Sequence, residues 1–171
     1  MDAYMVILRI IHIFSGVFWV GATFMLVGYV APAVEAAGDA GRAFMSQLAL
    51  KTSFSPAMGI VGTLATVSGL LLYWNIFGLS TDVFSSGYGT ALSIGALAGI
   101  LALISGMVFQ FKSISKMKAI NREVEASQGP PSPEQIAELG RQGERVALGG
   151  RIGVILMTIA LLGMSIAQYL G

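Results

Sequence analysis

LRIIHIFSGVFWVGATFML, residues 8–26, decides what kind of fold this chain can have. Apart from Arg9, His12, Ser15 and Thr23, every side chain in it is apolar or a bare glycine. Wound as a helix at 1.5 Å per residue, the stretch covers roughly 28 Å. A bilayer's hydrocarbon core is about 30 Å thick, so the stretch reads as a membrane span. The apolar run extends outward to residues 6–30, and three more follow at 56–77, 88–111 and 146–169. Composition agrees. Of 171 residues, 55% are apolar and 11% charged, and mean hydropathy is +0.77. Ordinary globular chains are roughly 25% charged, so too little polar surface remains here to coat a water-facing globule.

The four runs predict a single all-α domain over 1–171, an integral membrane, antiparallel four-helix bundle. The first run lacks the basic leader and clean cleavage site of a signal peptide, so it is expected to be a retained helix. Ser55 is expected to cap the second span, with Pro56 at the first helical position. Tyr4, Tyr73, Trp74, Tyr88, Phe111 and Tyr169 mark span ends, as interfacial aromatics do.

Charge sets the expected orientation. Arg42 and Lys51 lie in the first connection, and Lys112, Lys116, Lys118, Arg122, Arg141 and Arg145 in the third. Eight of the ten basic residues thus fall on one side, which should be the cytoplasm of a cell with an inner (plasma) membrane, leaving both termini outside. The third connection, 112–145, reads as a cytoplasmic helical hairpin between the third and fourth helices. Ile114, Met117, Ile120 and Val124 keep helical spacing on one arm, as do Ile136, Leu139 and Val146 on the other. Between the arms stands Gly129-Pro130-Pro131-Ser132, and Ser132 with Gln135 makes a capping box. Residues 35–53 suggest a short interfacial helix.

Several classes of function drop out. A net charge of +1 gives no electrostatic reason for a nucleic-acid partner. The absence of cysteine excludes disulfides, thiolate metal sites and thioether-attached haem, and one histidine excludes sites needing two from the same chain. No nucleotide-binding motif is present. The spans hold no Asp or Glu, which argues against carboxylate proton relays. Stripes at spacings of three and four (Ser55, Gly59, Gly62, Thr66, Gly69 and Tyr73 in the second span; Ala91, Gly95, Gly99, Ala102 and Gly106 in the third; Gly149, Gly153, Ala160, Gly163 and Ala167 in the fourth) point to close helix packing, with approach to a flat cofactor or partner chain as the alternative.

Ionisable groups inside a membrane are functional candidates by default, and this chain has Arg9, His12 and Arg151. Arg151 lies near a span end, where it can snorkel to headgroups. His12 lies about 10 Å inside the outer boundary. Arg9, His12, Ser15, Gly16, Trp19 and Thr23 share one helix face. Within it Gly16 leaves room for a porphyrin edge, Arg9 suits a propionate, and a neutral His12 suits an axial iron position. The plainer reading makes His12 a hydrogen-bonded residue of the bundle.

Residues 8–26 resemble the first helix of small bacterial membrane proteins of the copper-resistance D family and of the haem-dependent HemJ-type protoporphyrinogen oxidases. Those helices carry a histidine, a tryptophan seven residues on and a glycine shortly after, matched here by His12, Trp19 and Gly21. TLATVSGLLLYW, residues 63–74, is similar to their companion helix, and GRIGVILMTIALLGMSIAQYL, residues 150–170, to a closing helix of the group. The resemblance implies haem binding at His12. The oxidases' further histidines have no counterpart, and Gly28 stands where their basic residue is expected, so protoporphyrinogen oxidation is not implied. The nine methionines are scattered, which speaks against copper handling and for lipid-facing positions.

The expected function is therefore a b-type haem-binding, electron-transfer module with His12 as metal ligand and Arg9, Gly16 and Trp19 around the cofactor. Whether it is an enzyme is left open. The iron would be five-coordinate, or take a second ligand such as methionine, or be shared by two copies of His12 across a homodimer. The alternative is a non-catalytic assembly subunit of a larger membrane complex, or a small transporter, in which His12 is structural.

Overall fold

The computed structural model describes residues 2–78 and 80–171, which are helical with no strand among them. Four helices are long and apolar enough to cross a membrane: α1 (Ala3–Ala36), α3 (Phe54–Phe77), α4 (Gly87–Ser127) and α5 (Pro133–Tyr169). A short helix, α2 (Gly38–Ser46), follows α1 after a turn at Gly38, whose φ of +58° suits glycine. Asp2 and Ser86 start α1 and α4 by accepting from the backbone N–H groups of Tyr4 and Gly89, each at 3.1 Å.

Ser55 does not cap α3. The helix already begins at Phe54, whose N–H donates to Thr52 Oγ1 at 3.1 Å, while Ser55 Oγ turns back to donate to the Ala49 carbonyl at 2.7 Å. Thr52 takes the orphan donor first, because the chain enters the helix two residues earlier than the Ser-Pro signal indicates.

The helices associate in two close pairs, α1 with α3 and α4 with α5, with sparser contact between pairs. Glycine is the reason. A Cβ on Gly163 would stand 2.8 Å from the Ala91 carbonyl oxygen and 3.0 Å from the Gly95 Cα, so α4 and α5 meet nearly backbone to backbone. In lipid, where apolar side chains gain nothing by leaving one hydrocarbon for another, such close approach is what holds helices together. Most of the buried apolar residues are accordingly small (Ala65, Ala91, Ala98, Ala102, Ala160 and Ala167), with Leu8, Val83 and Met157 the larger ones. Large side chains such as Phe14, Val17, Ile60, Leu97 and Ile155 face outward. The accessible area of 10527 Å² exceeds the roughly 8,000 Å² of a compact monomer of this mass.

α4 and α5 run on without a break into the polar region, and a π-helical turn at Gly106–Phe111 interrupts the α-helical winding of α4. Gln128, at φ +51°, ends α4, and the expected capping box starts α5: Ser132 Oγ accepts from Gln135 N–H at 3.2 Å and Ser132 N–H donates to Gln135 Oε1 at 3.0 Å. Of the apolar residues expected between the arms, Ile114, Met117, Ile120, Val124, Leu139 and Val146 are half-buried, whereas Ile136 is 57% exposed. Lys51 ties the segment after α2 to Glu125 of α4 at 2.5 Å.

Glu138 clamps the arms. It pairs with Lys116 across the gap at 3.5 Å and accepts from Arg141 and, at 2.7 Å, from Gln142. The hydrogen bond from Arg141, then that from Gln142, lowers the Glu138 carboxyl to about 2. A carboxyl depressed on folding stabilises above its ordinary value and loses that contribution as pH falls through the folded one. The clamp should thus hold unchanged from pH 8 to 5 and loosen between about pH 4.5 and 2. Energy transfer between labels on Asn121→Cys and Ala137→Cys should fall over that window, and Glu138→Gln should abolish the step.

Candidate functional site

Two tight pairs that meet loosely leave space between them. A cavity of about 630 Å³ lies there, lined by residues of all four long helices. It is within the range, about 300–1,000 Å³, that holds small molecules and cofactors. Gly16 of α1 and Gly99 of α4 both line it, and a Cβ at either would meet nothing within 4 Å. These glycines keep the cavity open; they do not pack helices.

Gly62 and Gly69 of α3 do the opposite. A Cβ on Gly62 would stand 2.9 Å from Trp19 Cε2, and one on Gly69 would stand 2.7 Å from His12 Cε1. Two rings of α1, seven residues apart, therefore rest on two glycines of α3 with the same separation. Numbers rise on one helix as they fall on the other.

His12 Nδ1 lies 2.7 Å from the carbonyl oxygen of Ala65. A carbonyl can only accept, so Nδ1 carries the proton and donates it. In the neutral ring Nε2 is then the bare nitrogen with its lone pair free, the form in which imidazole ligates metals. His12 lines the cavity, and no described residue hydrogen-bonds Nε2. Backbone carbonyls orient ligating histidines in the same way.

Of the face expected from the sequence, Arg9, His12, Gly16 and Trp19 line the cavity. Ser15 and Thr23 do not; they are buried, and Thr23 Oγ1 donates to the Trp19 carbonyl at 2.8 Å. Arg9 is exposed and has no ion-pair partner among the described residues.

Other lining residues escaped the sequence reading. Tyr73 and Tyr88, expected as interfacial aromatics, line the cavity. The Tyr73 hydroxyl meets Ser93 Oγ at 2.6 Å, joining the two pairs. Phe77 stacks between Tyr73 and Tyr88, at centroid distances of 4.9 and 5.9 Å. Tyr73 ends the three-and-four stripe of α3 that the sequence marks as a packing face, and the structure turns it to the cavity.

The expectation that methionines face lipid fails for two of them. Met157, 4% exposed, and Met164 both line the cavity. Gly153 of α5 faces the Thr23 methyl of α1, a Cβ there standing 3.9 Å from it. Eleven residues on along each helix, in opposite directions, come His12 and Met164. No cluster of three His, Cys, Asp or Glu exists among the described residues. The site therefore offers one imidazole nitrogen, one guanidinium, two thioethers, the hydroxyl-bearing side chains of Thr66, Tyr73 and Tyr88, and an otherwise apolar wall.

Gly69→Ala should drive its methyl into the His12 ring and cost about 1–3 kcal/mol of stability, the usual range for overpacking. Gly16→Ala, entering open space, should leave the thermal midpoint in detergent unlowered. Equal midpoints for the two variants would contradict the ring-on-glycine contact. No protein-family model, curated protein or solved structure matches the chain, so the geometry of the cavity alone carries its functional reading.

Proposed function

We propose that this chain is a bacterial inner-membrane protein whose cavity holds a b-type haem, with His12 as axial ligand, and that it works as an electron-transfer module. The carrying observation is the His12–Ala65 hydrogen bond, which fixes the proton on Nδ1 and leaves Nε2 bare in a cavity of cofactor size. The residues present fit such a group. Haem b needs no covalent attachment, so a chain without cysteine can hold it. The clearance at Gly16 and Gly99 suits a flat ring, and Arg9 suits a carboxylate at its end of the cavity. The resemblance of residues 8–26 to haem-dependent membrane proteins points the same way. When bound, haem iron supplies one-electron chemistry.

The chain's own residues do the rest. Ala65 orients His12, Trp19 seats α1 on α3, and the apolar wall excludes water. Met164, which lines the same cavity as His12, would supply a thioether as a second ligand. The homodimeric alternative would share one haem between two copies of His12, through the face that also carries Gly16.

The proposal includes an antiparallel four-helix bundle with N- and C-termini outside and the 112–145 hairpin in the cytoplasm. Since the chain has no cysteine, Gly129→Cys gives a label site without background. It should react with an impermeant thiol reagent only from the cytoplasmic side, and labelling only from outside overturns the topology.

A second reading rests on the same bond: Nδ1–H to Ala65 also pins α1 to α3, as a structural histidine in an assembly subunit or small transporter would. The absorption spectrum separates the two. Protein purified from haem-replete cells should show a Soret band and, after dithionite, a sharp α-band, both lost in His12→Ala with helicity intact. A colourless preparation whose stability also ignores His12→Ala removes the haem reading. A colourless one that loses stability leaves the structural reading.

A further inference from the structure

A second cavity, of about 580 Å³, lies where the apolar stretch of α4 ends and Phe111 gives way to Lys112. Phe111, Lys112, Ser113 and Lys116 of α4 wall it, with Gln142 and Arg145 of α5. Three of these are cations and none is acidic. Lys116 is committed to Glu138, which lies outside the cavity walls and is also held by Arg141 and Gln142. Lys112 and Arg145 have no ion-pair partner among the described residues.

Ser113 supplies an independent observation. Its side chain is 1% exposed, and its Oγ has no hydrogen-bond partner. Buried hydroxyls are nearly always bonded, and an orphan calls for an explanation. Here the hydroxyl lacks a partner on the wall of a cavity that also presents the ammonium of Lys112 and the guanidinium of Arg145, while the Gln142 amide N–H is spent on Glu138. The two uncommitted cations and the hydroxyl suit an anion with several acceptor oxygens. Phe111, 71% exposed, adds an apolar surface beside the charges.

We propose that this cavity binds a phosphate-bearing anion, held between Lys112 and Arg145 and accepting a hydrogen bond from Ser113 Oγ. Two sources share that chemistry: an anionic phospholipid headgroup, with a chain laid against Phe111, and free phosphate. Basic pockets between helices at the cytoplasmic boundary are known to suit lipid headgroups.

The test uses the full chain in phosphatidylcholine nanodiscs with or without phosphatidylglycerol, bound lipid being counted by native mass spectrometry. The wild type should retain phosphatidylglycerol, and Lys112→Gln and Arg145→Gln should each weaken retention about fivefold. Ser113→Ala should weaken it without lowering the thermal midpoint, since the substitution removes an unpaired polar atom. Arg122→Gln, the same charge change outside the cavity, should do nothing. If inorganic phosphate binds with the same dependence on variants and displaces the lipid, the anion is free phosphate. If Arg122→Gln matches Lys112→Gln, or the folded variants retain both anions as the wild type does, the site does not exist.

Discussion

Glycine-mediated approach is the constraint on which this structure depends. The outer faces of the helices carry Ile, Leu, Val and Phe, which gain nothing by exchanging one apolar surround for another. Cohesion must come from backbones brought close, and Gly163 against Ala91 and Gly95 does this for α4 and α5. The α1–α3 pair is built differently, with rings of α1 set into gaps on α3. Each pair is well closed internally, and the leftover volume collects between pairs, where the cavity is found. Packing economy within pairs and space between them are two sides of one arrangement.

The spans were legible because hydropathy over twenty residues is a strong signal, and the start of α5 because Ser132 and Gln135 form a local cap that needs no tertiary help. What could not be read was partnership. Gly62, Gly69, Gly16 and Gly99 look alike in the sequence, yet two receive rings and two face empty space. The difference lies in the neighbouring helix. Tyr88, Met157 and Met164 were missed for the same reason: a residue near a span end, or a flexible apolar one, has no inward mark until its neighbour is placed. The Ser55 cap failed on a smaller scale, because the helix starts at Phe54 and Thr52, three residues before Ser55, took the donor.

His12 shows how much one hydrogen bond can carry. The sequence places a histidine among apolar residues but says nothing of its tautomer. The Ala65 carbonyl decides it by accepting from Nδ1, and the bare face of Gly69 lets the ring come close enough for that bond to form. A lone histidine becomes a defined lone pair through a backbone group and a missing side chain, neither of which a motif search registers.

The π-helical turn at Gly106–Phe111 has a consequence for α4 as a whole. Its buried side follows Ala91, Gly95, Ala98, Ala102 and Ser105, alternating steps of four and three. Carried forward unchanged, that rhythm would turn Lys112, Lys116 and Glu123 toward α5. The turn adds one residue, about 100° of rotation, and the inward side resumes at Ser113, Met117, Ile120 and Val124. The turn is thus a phase shifter: it lets a single unbroken helix keep one sequence rhythm in lipid and another beyond it, with the charges facing water in the second. Deleting one residue from 106–111 would remove the need for the turn: a regular α-helix would then carry Ser113, Met117, Ile120 and Val124 to the same inward side.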